Sequence, residues 1–443
     1  MTTADTEERN VMKYGHAGKA MYHLVAFVEG YDQQIISVCM RAFEMTLGFS
    51  QSSLSLIKTI ETMAVLGCSL FWGYLADNFD PNLVLGAGLL IAGFTSIMLG
   101  TSSLLPVVLV LRFLHGFGMA SINPSTHKVI SSSHRRKSTS GAYGGVQAMN
   151  CIGRLFSAFL TALVATKLLY GHHGWRTCYV LLGYVWILLG TAVSFFMTGS
   201  GIIALPRKKN LLDSFTTVFK MKTSYIIIIT LFVSEAPLAA FNYMVLYLQY
   251  LGVSDIMAGV ACAVTLIGGA VGSVAGGEVI KLIDKNCNEH GMLVSGIVVV
   301  CLRLVVCFFF FLGPSPQGKL LWYHYLELAL LGASLVSISG VDKPIIKNIN
   351  DQASQAISAA IVRCIAGVMS SVILYQVAGY LSEKVFGYVK STQKFAEMDP
   401  AFMAKNASAL RNSMMYIIVG GTILNIICYI AMCFTYKTDK KNS

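Results

Sequence analysis

The sequence predicts an all-α, polytopic membrane protein with twelve transmembrane helices in two six-helix halves. Three observations predict it. The 443 residues are 55% hydrophobic and only 12% charged, with a mean hydropathy of +0.64, whereas soluble domains carry about 25% charged residues. The apolar runs are helix-length, and at about 20 residues per crossing the chain accommodates roughly twelve crossings. They are too long for barrel strands, so helices fill the membrane. Finally, one basic linker interrupts the series near its middle.

In chain order, residues 1–18 form a polar, cytoplasmic N-terminal tail. The first apolar segment has no short apolar core followed by small-residue cleavage, so it reads as a retained span. The N-terminal half, 19–205, carries spans at 19–45, 52–76, 83–104, 106–130, 141–168 and 176–199. A cytoplasmic basic linker follows at 206–224 and begins PRKKNLLDSF. The C-terminal half, 225–436, carries spans at 225–250, 256–282, 291–312, 320–345, 354–381 and 413–436, and a short tail covers 437–443. Basic residues cluster at Arg135–Lys137, Arg207–Lys209 and Lys437–Lys441, and such clusters mark the cytoplasmic side. Both termini are therefore expected in the cytoplasm and the loop 383–412 outside. In that loop Asn406-Ala407-Ser408 is a candidate glycosylation tripeptide.

The net charge of +11 belongs to these loops rather than to a nucleic-acid-binding stripe, so no nucleic-acid partner is expected. Nine of the eleven Cys lie inside apolar segments, and the sequence has neither a CxxC nor a His cluster at metal-ligand spacing. No disulfide framework, metal site or cofactor is expected. Without a Walker A motif, nucleotide hydrolysis by this chain is not expected as the energy source. An intramembrane enzyme would want clustered His and Asp or a Ser/Lys dyad, and the sequence offers neither.

Charge inside a membrane span is costly and marks a substrate or proton path by default. A helix rises about 1.5 Å per residue through a core about 30 Å thick. On that measure Glu29 and Asp32 in span 1, Glu61 in span 2, Arg154 in span 5 and Glu235 in span 7 lie near the midplane. Glu29 and Asp32 stand three apart on one helix face, and Arg112 in span 4 is their natural counter-charge. Arg112 serves equally well as a lock between helices. Glu61 follows Lys58 by three residues, so a local pair competes with a pathway role. Arg154 lies on a polar stripe with Gln147, Cys151, Ser157 and Thr161, the signature of a helix lining a wet cavity or of polar contact between helices. Glu235 precedes Pro237, a candidate kink. His115, three residues after Arg112, reads as a satisfied polar residue.

GYLADNFDPNLVL, residues 73–85, resembles the loop between spans 2 and 3 of the major facilitator superfamily, and VLRFLHGFGMASINPS resembles its span-4 arginine motif. Within that superfamily the first half is similar to the Spinster-like branch, through Gly30-Tyr31-Asp32-Gln33, Leu56-Ile57-Lys58-Thr59 and Gly73-Tyr74-Leu75-Ala76-Asp77. The departures are Gln33 for an Arg, Met119 for a span-4 Glu, and Asn78, Pro81 and Asn82 for the basic loop residues. The resemblance implies the major facilitator fold, a gating loop with Gly73 and Asp77, and a coupling role for Asp32. It also implies a secondary active transporter, a symporter if proton-coupled, that moves a small organic solute or an amphiphilic, lysolipid-like anion by alternating access. A sugar, amino-acid or organic-acid facilitator and a non-transporting membrane sensor are the alternatives. The expected setting is a monomer in the plasma membrane or an endomembrane organelle, with a small-molecule or lipid-like substrate.

Overall fold

The computed structural model of the chain describes residues 16–133, 139–169, 171–196, 219–286, 291–338, 341–342, 345–346, 355–393 and 395–442. The basic run 134–137 and most of the central linker lie outside them. In order, the helices are α1 (His16–Leu47), α2 (Gln51–Asn78), α3 (Pro81–Thr101), α4 (Leu105–Met119), α5 (Ile122–Ser133), α6 (Thr139–Val164) and α7 (Gly174–Phe196). There follow α8 (Lys222–Ser234), α9 (Ala236–Phe241), α10 (Met244–Tyr250), α11 (Asp255–Asn286), α12 (Gly291–Leu312), α13 (Trp322–Ser337), α14 (Gln355–Tyr380) and α15 (Pro400–Asn442). A two-residue antiparallel hairpin, β1 (Leu168–Leu169) with β2 (His172–His173), joins α6 to α7.

Among the described residues, nine helical stretches are long and apolar enough to cross a membrane. Those at α1, α6 and α13 fall short of that measure. α1 carries several charged residues, the apolar stretch described in α6 is the shorter Ala148–Val164, and α13 is only 16 residues long. The order still fits the twelve expected crossings, because two of them are broken helices. Span 4 is α4 plus α5, interrupted at Ala120–Ser121. Span 7 is α8, α9 and α10, interrupted at Glu235 and at Asn242–Tyr243.

Two motif expectations change. The segment 73–78 is not a loop: α2 runs on through Asn78, because nothing in YLADN breaks a helix. The connection is only Phe79–Asp80, and Pro81 opens α3 with Asp80 as its N-cap, its Oδ1 accepting from the Asn82 N–H at 2.9 Å. Gly73 therefore sits within α2, and the side chain of Asp77 lies outside the described residues. The connection expected over 383–412 is also shorter, since α15 begins at Pro400. Asn406 lies inside that helix, fully buried. Its Oδ1 accepts from the Val389 N–H at 3.0 Å and its Nδ2 donates to the Val389 carbonyl at 2.8 Å. A glycan acceptor needs an exposed amide, so Asn406 is a structural clamp and not a glycosylation site.

The chain divides into two compact units, one of residues 1–42 and 57–208, the other of 43–56 and 209–443. In the first, α3 and α7 approach at glycines: a Cβ on Gly93 would lie 2.8 Å from the Gly183 carbonyl, and one on Gly183 2.7 Å from that of Gly93. Such small-residue contacts are how membrane helices pack closely without a hydrophobic drive between them. In the second unit the core gathers Ile227, Leu293, Val300, Ile338, Tyr429 and Met432.

The second unit also holds the α1–α2 turn. Gly48, at φ 66°, ends α1 in the left-handed conformation that glycine tolerates, and its N–H bonds to the Glu44 carbonyl. The buried Glu44 carboxylate accepts from the Tyr388 hydroxyl at 2.6 Å, the Ser391 N–H at 2.7 Å and Gln51 Nε2 at 3.3 Å. On the far side of the turn, Glu383 accepts from the Ser52 N–H at 3.1 Å and from its hydroxyl.

Candidate functional site

Three of the sequence-predicted residues meet in the first unit. Asp32 from α1, Glu61 from α2 and Arg112 from α4 are all buried, at 1%, 6% and 1% exposure. Glu61 takes two cations: Lys58 Nζ at 3.3 Å on one oxygen, from the preceding turn of α2, and Arg112 Nη1 at 3.4 Å on the other. Arg112 also donates to the Tyr179 hydroxyl from α7 and lies over that ring, 4.8 Å from its centre. The local pair with Lys58 is present, and Arg112 adds a second partner to Glu61.

Arg112 is not the direct partner of Asp32. That place belongs to His115, one helical turn on, whose Nε2 lies 3.0 Å from Asp32 Oδ2. Trp186 of α7 donates its Nε1–H to the same oxygen at 2.7 Å. Asp32 Oδ1 is buried and has no hydrogen-bond partner among the described residues. The rotation of α4 decides which side chain meets Asp32. A Cβ on Gly116 would lie 2.6 Å from the Glu61 carbonyl, and one on Gly118 2.6 Å from the Gly88 carbonyl of α3. The bare backbone of α4 is thereby pressed on α2 and α3, leaving His115 to fill the space in front of Asp32.

Glu29 and Arg154 form a second group. Glu29 accepts from Gln33 Nε2 at 3.0 Å, one turn along α1. Arg154, half-buried on α6, donates from Nε to Asn150 Oδ1 at 3.1 Å and from Nη2 to Gln33 Oε1. Gln33 therefore bridges a carboxylate and a guanidinium, so an arginine side chain from α6 reaches the position where the Spinster-like pattern has its own Arg. Although Glu29 and Asp32 are three residues apart, they differ by about 60° of helical rotation, enough to send them to different partners. The polar stripe of α6 faces α1: Thr161 bonds the Tyr31 hydroxyl at 3.0 Å, and a Cβ on Gly153 would lie 1.8 Å from the Phe27 carbonyl.

Glu235 belongs to the other unit. It is exposed, capping the end of α8 ahead of Pro237. Gly73 packs near Pro124 of α5, and the adjacent Trp72 donates its Nε1–H to the Phe117 carbonyl at 2.6 Å. Trp72 and Ala76 at this end of α2 share an apolar patch with Val84 of α3 and Ala120 at the break after α4.

The sequence reads His115 as a satisfied polar residue and does not single out Trp186 or Tyr179. An apolar helix with one Trp or Tyr gives no sign of which carboxylate it will face. The ligating atoms of Asp32, Glu61 and His115 lie within 4.8 Å of one another. Even so, the donor set does not suit a metal ion. His115 Nε2 and Asp32 Oδ2 are committed to each other, and Glu61 is already neutralised by Lys58 and Arg112, whose charges oppose a further cation. The arrangement is a hydrogen-bonded charge network that can hold or release a proton.

Curated relatives match parts of the chain. It is 32% identical over 146 residues to the chloroplastic ascorbate transporter of Arabidopsis thaliana, covering 29% of this chain and 25% of that one. It is 23% identical over 190 residues to the 4-hydroxybenzoate transporter PcaK of Acinetobacter baylyi, covering 42% and 40%. The chain thus spans only about a quarter to two-fifths of the length of these relatives. Solved structures match nearly throughout. A bacterial homolog of the human lysosomal transporter Spinster, inward-facing and unoccupied, superposes with a TM-score of 0.80 at 16% identity, over 96% of this chain and 98% of that one. The nucleoside transporter NupG gives 0.68 at 14%, over 94% and 99%. These show the fold. A family profile described as the Major Facilitator Superfamily matches residues 22–373, and the chain, an integral multi-pass membrane protein, belongs to that superfamily.

Proposed function

We propose that the chain is a secondary transporter that moves a small organic anion by alternating access, with a proton as the coupled ion. The observation that carries this reading is the buried Asp32–His115–Glu61–Arg112 network inside the helices of one unit. Buried intramembrane charges of both signs are expensive, and this network has a vacant carboxylate oxygen in it. The curated relatives carry names of transporters for organic anions, which favours an anionic substrate. The Spinster-like motifs extend the candidates to amphiphilic anions such as a lysolipid.

Arg154 is the better-placed anion contact. It is half-buried and held by neutral amides, whereas Arg112 is fully buried and spoken for by Glu61 and Tyr179. Asp32 takes the coupling role. Asp32→Asn keeps shape and removes the charge, so it abolishes accumulation against a gradient while exchange at equal pH stays measurable.

The test is uptake by proteoliposomes of 4-hydroxybenzoate, ascorbate, sulfoacetate and a lysophospholipid, with and without an acid-outside pH gradient. Accumulation of at least one probe that collapses with the gradient supports the reading. Counterflow with no response to the gradient makes the protein an uncoupled facilitator. Binding without counterflow makes it a sensor.

A further inference from the structure

Resting on the proton-coupled reading, we propose that the coupling proton is shared between His115 Nε2 and Asp32 Oδ2, so that the carrier is this pair and not Asp32 alone. The argument is one of donors and acceptors. His115 Nδ1 lies 3.1 Å from the Ala92 carbonyl oxygen, which only accepts. Its other neighbour, Thr95 Oγ1 at 3.4 Å, donates its own proton to the Ile91 and Ala92 carbonyls at 2.8 and 3.0 Å, and so presents a lone pair. Nδ1 must therefore carry hydrogen. In a neutral imidazole that leaves a lone pair on Nε2. Nε2 points at a carboxylate oxygen 3.0 Å away, and that oxygen already accepts from Trp186. Two lone pairs do not face each other at hydrogen-bond distance inside a protein. One further proton lies between them, either as imidazolium with carboxylate or as imidazole with carboxylic acid.

The groups around the pair fix what its loss does. Glu29 and Tyr31 stand near Asp32 on α1, Glu61 faces the pair from α2 with Lys58 on its far oxygen, Arg112 faces it from α4, and Tyr179 and Trp186 from α7; among the described residues the contacts from α3 are Ala92 and Thr95. In formal charge, Lys58, Arg112 and Arg154 stand against the carboxylates Glu29, Asp32 and Glu61, so the cluster balances with His115 neutral. With the shared proton it is one unit positive. The loaded state attracts an anion and the emptied state does not, which links proton to substrate without direct contact between them. The proton leaves as H⁺ to water, and no bond between heavy atoms changes. Once it has gone, Nε2 and Oδ2 repel, so unloading favours a conformer in which α1 and α4 separate there. The bias is a population shift between two states with different proton affinities.

The decisive measurement is ¹⁵N-histidine magnetic resonance of the full-length protein in liposomes across pH 5 to 9, with His115→Asn used only to assign its signal among the nine histidines. The proposal expects His115 to show a proton on Nδ1 throughout. It also expects a second, shared proton at Nε2 that is lost in a single step and is absent at every pH in Asp32→Asn. A spectrum in which Nε2 neither bears nor accepts a proton at any pH, or one unaffected by Asp32→Asn, overturns it. Transport gives the second arm. One proton per substrate supports about tenfold accumulation per pH unit. His115→Gln should reduce this to onefold while counterflow at equal pH remains detectable. If the wild type ignores the gradient for every probe, the proton-coupled reading itself has failed, whatever the resonance shows. If the wild type responds and His115→Gln accumulates tenfold as well, the shared proton is wrong and the coupling reading stands.

Discussion

His115 and Arg112 stand three residues apart on one helix, yet only His115 meets Asp32. Both are legible as polar residues in an apolar span, and Asp32, Glu61 and Arg112, expected as midplane groups and their counter-charge, are buried. Their pairing was not legible, because it depends on the rotation of α4, and that rotation is set by close backbone contacts at Gly116 and Gly118. The Glu61–Arg112 pair makes a prediction at this scale. Removing one partner of a buried ion pair leaves the other uncompensated, at a cost of about 3–5 kcal/mol, whereas replacing both is far milder. Glu61→Gln and Arg112→Met should each lower the melting temperature in detergent, and the double variant should recover much of the loss. Equal and additive losses would mean the two do not depend on each other. Arg154→Gln acts on binding instead. A hydrogen bond to a charged group contributes about 1.5–3 kcal/mol, so the KM for an anionic probe should rise roughly tenfold to a hundredfold, with stability little changed.

At the scale of the helices, two of the three breaks are written in the sequence and one is not. Pro124 cannot donate to the carbonyl four residues back, and the helix parts at Ala120–Ser121; Pro237 does the same at Val233, and the helix parts at Glu235. The break at Asn242–Tyr243 has no such signal. The long run of α15 was misread because the polar stretch AKNASALRNS looks like loop, while its residues are tolerable in a helix and Asn406 is held by Val389. Helix contacts give a direct test. A Cβ on Gly30 would lie 1.9 Å from the Asn150 carbonyl, in the contact that brings Asn150, Arg154 and Gln33 together. Backbone cannot yield as a side chain can, so Gly30→Ala should destabilise by about 1–3 kcal/mol and weaken probe binding with it. Gly420→Ala is the control. It meets nothing within 4 Å, and glycine within a helix is about 0.5–1 kcal/mol worse than alanine, so it should hold or raise the melting temperature. A melting temperature as high in Gly30→Ala as in Gly420→Ala would show that α1 and α6 do not meet as described.

At the scale of the whole chain, the basic linker is a composition change in the sequence, and most of it lies outside the described residues. No composition change marked the assignment of residues 43–56 to the second unit. It follows from Glu44, one carboxylate near the end of an apolar run, whose partners Tyr388 and Ser391 lie more than 340 residues away in sequence. Orientation across the membrane is a separate matter, argued from charge alone. The connection between α14 and α15 should face outward and the start of α8 should face the cytoplasm. Thr392 and Lys220 are both exposed, one on each predicted side. Thr392→Cys should react with a membrane-impermeant maleimide on intact cells that carry the protein at the plasma membrane, above the background from the native thiols. Lys220→Cys should react only after permeabilisation. The opposite pattern reverses the orientation, and with it the side from which protons enter. Because Asn406 is clamped in α15, the orientation should hold with no glycan to report it: treatment with an N-glycosidase should leave the mobility of the protein unchanged, even with the tripeptide on the side expected to face outward.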